Sequence, residues 1–229
     1  MTRTIHLTID GRPVQVAPGT TVLQAAKAAG IHIPTLCYLE KINAIGACRV
    51  CLIQVEGMRG YHTSCTLPSA EGMVVHTKTP ALRDARRTVV ELLLSDHNVE
   101  CPTCLRSGNC ELEDLAHETG VRRIPYGGER HAWRRDHSTP SLNWDLSKCV
   151  LCQRCVATCS QVQTVSAIGL IDRGFDSHIG VPYDHDLLQA TCTYCGQCAL
   201  ACPTGAITEK DDTDAVWAAL ADPSKHVVV

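Results

Sequence analysis

Polar and apolar positions alternate from the start of the chain. Thr4-Ile5-His6-Leu7-Thr8-Ile9 has the period of two that lays one face of a strand on a core. Asp10-Gly11 follows as a hairpin signal, with Val14-Gln15-Val16 as the return strand. Thr20 or Thr21 can cap a helix running through Ala29, which Gly30 stops. Cys51-Leu52-Ile53-Gln54-Val55 predicts a further strand closed by Glu56-Gly57, and Met73-Val74-Val75-His76-Thr77 predicts a last one. Hairpin, helix and then more strands over residues 1–78 make a β-rich domain of β-grasp pattern.

The period then changes. Thr79 is a good N-cap and Pro80 suits the first helical position. Leu82, Ala85, Val89, Leu92 and Leu93 share one predicted face, and Asp96-His97-Asn98 ends the helix. A Cys-rich loop and a helix from about Glu111 to Thr119, stopped by Gly120, complete a helical domain over 79–120. Residues 121–145, with Pro125, Gly127, Gly128 and Pro140, read as a connector. Its Arg122, Arg123, Arg130, Arg134 and Arg135 against Glu129 and Asp136 suit either a solvated linker or a docking face for an acidic partner. Without interleaved aromatics or a nucleic-acid fold motif, nucleic-acid binding is not implied. Residues 146–210 hold an internal repeat. In the tail, 211–229, a short helix around Asp214–Leu220 precedes Asp222-Pro223 and an extended Val227-Val228-Val229.

Composition sharpens this α+β picture. Aromatics are 4% of the 229 residues, with a single Phe, and small domains short of core need staples such as metals. The chain has fifteen Cys, an odd number, many two residues apart, and no apolar leader at its start. That fits metal ligation in a reduced, cytoplasmic setting better than disulfides. No apolar run approaches the ~18 residues of a membrane helix. The formal net charge of −3 is mild and counts neither thiolates nor iron.

The repeat carries the strongest chemistry. Cys149, Cys152, Cys155 and Cys159 form one Cys-x2-Cys-x2-Cys-x3-Cys run; Cys192, Cys195, Cys198 and Cys202, followed by Pro203, form the second. In this bacterial ferredoxin spacing the fourth Cys ligates the other cluster. One [4Fe–4S] cluster is therefore expected on Cys149, Cys152, Cys155 and Cys202, and another on Cys192, Cys195, Cys198 and Cys159. Zinc sites instead pair two separated Cys-x2-Cys knuckles. Cys37, Cys48, Cys51 and Cys65 follow the one-two-one logic of a [2Fe–2S] site, with Gly46-Ala47 supplying small residues beside Cys48. The ten-residue gap after Cys37 is longer than the plant-type Cys-x4-Cys, and structural zinc is the competing use of such a set. Cys101, Cys104 and Cys110 leave a third cubane one ligand short, and His97 is the nearest candidate. Fifteen Cys and one His supply four ligands to each of four clusters, about 14 iron atoms in all.

Leu36-Cys37-Tyr38-Leu39, Gly46-Ala47-Cys48-Arg49-Val50-Cys51, His97-Asn98 with Cys101, Cys104 and Cys110, and the double run occur in an order that resembles one superfamily. It is similar to the N-terminal iron–sulfur region of [FeFe]-hydrogenases, the large iron–sulfur subunit of respiratory NADH dehydrogenase, NAD-dependent formate dehydrogenases and the short diaphorase subunit of NAD-linked [NiFe]-hydrogenases. Cys195-Gly196-Gln197-Cys198, Cys202-Pro203-Thr204-Gly205-Ala206 and Asp222-Pro223-Ser224-Lys225-His226-Val227-Val228-Val229 most resemble electron-bifurcating hydrogenase subunits. The resemblance implies a β-grasp [2Fe–2S] domain, a small helical His/Cys-ligated [4Fe–4S] domain and a bacterial-type two-cluster ferredoxin domain. It implies a relay between a flavin- and NAD(P)-binding subunit and a catalytic subunit of a hydrogenase, with ferredoxin as a further partner. The alternatives are a relay of a formate dehydrogenase or an NADH dehydrogenase-like complex, and the N-terminal part of an [FeFe]-hydrogenase. No catalytic site is expected in this chain, because every Cys is already assigned and Gly127-Gly128 is too weak for a phosphate loop.

Overall fold

The computed structural model describes residues 4–131 and 134–228; residues 1–3, at the start of the first domain, residues 132–133 and the expected extended Val229 lie outside the described residues. β1 (Ile5–Ile9) and β2 (Arg12–Val16) pair antiparallel, with Ile5 opposite Val16 and Ile9 opposite Arg12. Asp10 (φ 48°) and Gly11 (φ 78°) are both left-handed, as a two-residue turn between twisted strands demands. The Asp10 carboxylate also accepts from the Thr77 N–H at 2.7 Å and the Thr77 hydroxyl at 2.5 Å, tying the hairpin to the far end of the domain.

α1 (Val22–Ala28) starts in a reciprocal cap. The Gln24 N–H donates to Thr21 Oγ1 at 3.3 Å, and the Thr21 N–H donates to Gln24 Oε1 at 3.0 Å. β3 (Leu52–Val55), β4 (His62–Thr63) and β5 (Val74–His76) complete a five-stranded sheet of order β2-β1-β5-β3-β4, with β1 and β5 parallel. Leu7, Ile9, Val22, Ala25, Ala26, Ile53 and Val75 form its core together with Cys51 and Cys65.

Thr79 caps α2 (Pro80–Ser95) through the Leu82 N–H at 3.2 Å. α3 (Glu111–Thr119) ends at Gly120, whose φ of 72° suits glycine. The buried stripe of α2 differs from expectation: it is Leu82, Arg86, Val90 and Leu94, while Leu92 is 50% exposed. Ala85, Val89 and Leu93 are half-buried on its flank. The reason is Arg86, whose guanidinium lies inward and donates to the Leu52 carbonyl at 2.5 Å, so a charged residue occupies a position of the buried stripe.

The segment 121–145, expected as a connector, contributes two strands: β6 (Arg135–Asp136) and β7 (Leu142–Asp145). α4 (Arg154–Ala157) runs into a wide π-helical turn at Thr158–Val162. The hairpin of β8 (Gly169–Ile171) and β9 (His178–Gly180) follows, then α5 (Gln197–Ala201), β10 (Ile207–Glu209) and α6 (Thr213–Ala221). β7 lies between β10 and β6 in a three-stranded sheet. Leu142 and Trp144 point from it into a core shared with Leu146, Ile168, Ile179, Leu187 and Ile207. Among the described residues no helix is long and apolar enough to cross a membrane.

Leu82→Ala should lower stability by about 2–5 kcal/mol, while Leu92→Ala should stay within about 0.5 kcal/mol. Denaturant unfolding followed by far-ultraviolet circular dichroism under anaerobic conditions reads both; equal losses would contradict the observed helix face.

Candidate metal centres

The two runs of the repeat fold alike. In the first, Leu151 (φ 52°) and Gln153 (φ 59°) are left-handed; in the second, Tyr194 (φ 54°) and Gly196 (φ 73°) are, at the same offsets from the leading Cys. The Leu151 N–H donates to Cys149 Sγ at 3.4 Å, and the Tyr194 N–H donates to Cys192 Sγ at 3.4 Å. α4 and α5 then start at matching positions. Left-handed backbone at Leu151 and Tyr194 is strained for residues with a side chain and persists where surroundings enforce it. Here it curls the chain so that sulfurs and amide N–H groups face one centre.

Two cavities result. One is walled by Cys192, Cys195, Cys198 and Cys159, with Ile168 and Trp144. The other is walled by Cys149, Cys152, Cys155 and Cys202, with Ile179 and Trp144. Each cavity thus meets three sulfurs of one run and the last of the other. Cys159 reaches across from the π turn, where the Gln163 N–H donates to the Thr158 carbonyl at 3.1 Å. Burial pushes the Cys149, Cys152 and Cys198 thiols up to about 12, and Cys155 well up too.

Cys37, Cys48, Cys51 and Cys65 are all buried, at 1%, 6%, 1% and 1% exposure. They form two touching pairs. The Cys37 thiol draws Cys48 down to about 6, helped by N–H groups of Val50, Cys37 and Leu36, and is itself pushed up. Cys65 draws Cys51 down to about 7 in the same way. Gly46 (φ 65°) lies two residues before Cys48, and a Cβ there would lie 3.4 Å from the Thr63 and Thr66 side chains.

His97 is 8% exposed, and its Nδ1 has no hydrogen-bond partner. Burial, with the Lys148 cation beside it, holds its imidazole down to about 4, so it is neutral with a free lone pair. Lys148 also faces Cys101, and Cys104 influences both Cys101 and Cys110. A turn at Cys101–Thr103 and the Glu113 carboxylate, which accepts from the Gly108 N–H at 2.9 Å, set the loop. Sequence reasoning missed the groups that seat this loop on the repeat: Arg106 donates to the Cys202 carbonyl at 3.2 Å, and the Glu111 N–H donates to the Pro203 carbonyl at 3.0 Å. The two terminal guanidinium nitrogens of Arg154 donate to the two Glu111 carboxylate oxygens at 2.5 and 2.8 Å. Gly205 leaves room for sulfur, since a Cβ there would lie 3.1 Å from Cys104 Sγ. Among the described residues no group of three or more His, Cys, Asp or Glu closes on a single-ion site.

Known families match all three segments: a 2Fe-2S iron-sulfur cluster binding domain over residues 2–80, the NADH-ubiquinone oxidoreductase-G iron-sulfur binding region over 86–125, and the ferredoxin-like domain of NADH-quinone oxidoreductase subunit 3 over 139–208. A chain of the crystal structure of NAD+-reducing [NiFe]-hydrogenase in the H2-reduced state superposes with a TM-score of 0.84 at 33% identity, covering 90% of this chain and 87% of that one. The chain belongs to this iron–sulfur family. Curated relatives include the NADP-reducing hydrogenase subunit HndD of Solidesulfovibrio fructosivorans, 44% identical over 98% of this chain and 39% of its own length. The mitochondrial NADH dehydrogenase [ubiquinone] iron-sulfur protein 1 of Solanum tuberosum is 35% identical over 90% of this chain and 28% of its own. The chain therefore spans well under half of these curated relatives.

Membership makes this an iron–sulfur protein with 2Fe–2S and 4Fe–4S binding domains. The residues present fit such groups. Four sulfurs line each of two cavities, amide N–H groups point at sulfur, and His97 is a buried, neutral imidazole whose Nδ1 has no hydrogen-bond partner. Bound clusters supply one-electron redox chemistry; the chain supplies thiolates, hydrogen bonds and a water-poor surround, which set the potential.

Gly205→Ala should press on Cys104. Its EPR spectrum after dithionite reduction should show a [4Fe–4S] signal lost or shifted and the [2Fe–2S] signal unchanged. An identical spectrum would mean that the Cys104 loop yields freely.

Proposed function

We propose that this chain is the electron relay of an NAD(P)-linked, hydrogenase-type oxidoreductase, with one [2Fe–2S] and three [4Fe–4S] clusters. The first domain is a β-grasp fold holding [2Fe–2S] on Cys37, Cys48, Cys51 and Cys65. The helical domain holds [4Fe–4S] on His97, Cys101, Cys104 and Cys110. The ferredoxin-type domain holds one cubane on Cys149, Cys152, Cys155 and Cys202 and another on Cys192, Cys195, Cys198 and Cys159. The observation that carries this reading is the crossed lining of the two cavities, each walled by three cysteines of one run and one of the other.

The cubane of Cys149, Cys152, Cys155 and Cys202 is the hub. Three contacts support that position. The [2Fe–2S] domain packs Cys37 and Cys48 in one apolar cluster with Cys152. The helical domain meets Cys202 through Arg106. The fourth site shares Trp144 as a wall with the hub. Electrons arriving on one arm can leave by another, which suits a chain standing between a flavin- and NAD(P)-binding subunit, a catalytic subunit and ferredoxin. A second reading makes the chain the N-terminal electron-transfer part of a longer hydrogenase polypeptide. The HndD relative favours it, because its similarity to this chain occupies 39% of its length.

Ligand substitution tests the assignment. Cys159→Ser should damage the cluster of Cys192, Cys195 and Cys198, and Cys202→Ser that of Cys149, Cys152 and Cys155, read by EPR and Mössbauer spectroscopy. Each variant disturbing its own run would contradict the crossing. Neutral imidazole leaves a cluster less negative than a fourth thiolate does. His97→Cys should therefore keep the cluster at a lower potential, and His97→Ala should make it labile or convert it to a three-iron form.

A further inference from the structure

The gap between Cys37 and Cys48 holds a small folded loop rather than slack. Leu39 and Asn43 exchange two backbone hydrogen bonds, both at 2.8 Å, around a turn in which Lys41 is left-handed at φ 63°. The bridge fixes Asn43, which is 4% exposed and turned inward. Its side-chain Nδ2 donates to the Cys37 carbonyl at 2.8 Å and to the Cys152 carbonyl at 2.9 Å. Both partners are carbonyl oxygens, which only accept, so the amide must present its NH2 group and use both protons. One planar group therefore joins the backbone of two cysteines that are 115 residues apart in sequence and belong to different candidate sites. Its two partners, Cys37 and Cys152, lie in one buried apolar cluster with Leu36, Val50 and Cys48.

We infer that the Asn43 side-chain amide is the electronic bridge between the [2Fe–2S] site and the hub cubane; this rests on the ligand assignment above. From Cys37 Sγ the path runs along bonds to its carbonyl oxygen, through two N–H···O contacts on one nitrogen, and back along bonds to Cys152 Sγ. It adds two short hydrogen bonds to the apolar packing that Cys37, Cys48 and Cys152 share, and electron tunnelling decays more slowly through bonds and hydrogen bonds than across non-bonded contacts. The transfer moves one electron between the two clusters, oxidising one as it reduces the other, and neither makes nor breaks a bond. Asparagine suits the position because it has two donors on one atom. Aspartate of the same shape offers at most one, and alanine none.

The test uses the full chain with its clusters loaded anaerobically, compared with Asn43→Ala and Asn43→Asp. Iron content and EPR confirm the clusters, magnetic relaxation enhancement of the [2Fe–2S] signal by the reduced hub serves as a distance ruler, and flash photoreduction gives the rate of electron equilibration between them. The expected result is unchanged signals and an unchanged ruler with equilibration several-fold slower in both variants. Should Asn43→Ala lose a cluster, the isosteric Asn43→Asp decides by the same comparison. An unaltered rate overturns the bridge. So does a slowdown matched by weakened relaxation enhancement, which is the signature of a clasp alone. Absence of either cluster from the unsubstituted chain would instead sink the ligand assignment and the bridge with it.

Discussion

Cys152 is 7% exposed, and burial pushes its thiol up to about 12 even with the Arg154 cation acting on it, which sets roughly 4 kcal/mol against a thiolate there. The same desolvation acts on Cys149, Cys155 and Cys198. On the proposed ligand assignment, iron would remove the penalty by accepting the thiolate, which would link cluster binding and folding through the same atoms. The linkage matters because sulfur stands where a larger protein would put aromatic side chains. Cys51 and Cys65 sit in the core of the first domain, Cys155 and Cys202 in that of the third, and Cys37, Cys48 and Cys152 in the apolar contact between them.

That constraint accounts for the crossing of the repeat. Each run curls over two left-handed residues to aim three sulfurs and an amide at one centre, and its helix then carries the last sulfur away toward the other. Trp144, 4% exposed on β7, fills the wall between the two cavities, and its indole N–H has no hydrogen-bond partner. The remaining domains dock on the face beside Cys152 and Cys202 through backbone carbonyls: Asn43 on one side, Arg106 on the other. Direct hydrogen bonds at these contacts add direction to apolar packing, which is non-directional.

Local signals were legible where the chain reads itself. Asp10-Gly11, Thr21, Thr79-Pro80 and Gly120 specify turns and caps through their own backbone chemistry, and each appears where expected. The cysteine spacing likewise grouped the sulfurs that line each cavity. What depended on distant partners was not legible. β4 is two residues long, and β7 is a strand because β10 lies beside it, with Trp144 opposite Ile207. The inward face of α2 turned on Arg86 finding the Leu52 carbonyl. Asn43 left one trace, the long gap after Cys37, which revealed an insertion without saying what it reached.

An EPR-monitored redox titration of the anaerobically loaded chain tests the relay geometry most directly. With the proposed hub at the centre, the [2Fe–2S] signal and the signal of the cluster assigned to His97, Cys101, Cys104 and Cys110 should each broaden and relax faster as the hub becomes reduced. A [2Fe–2S] signal whose width and relaxation ignore the redox state of the hub would contradict the account.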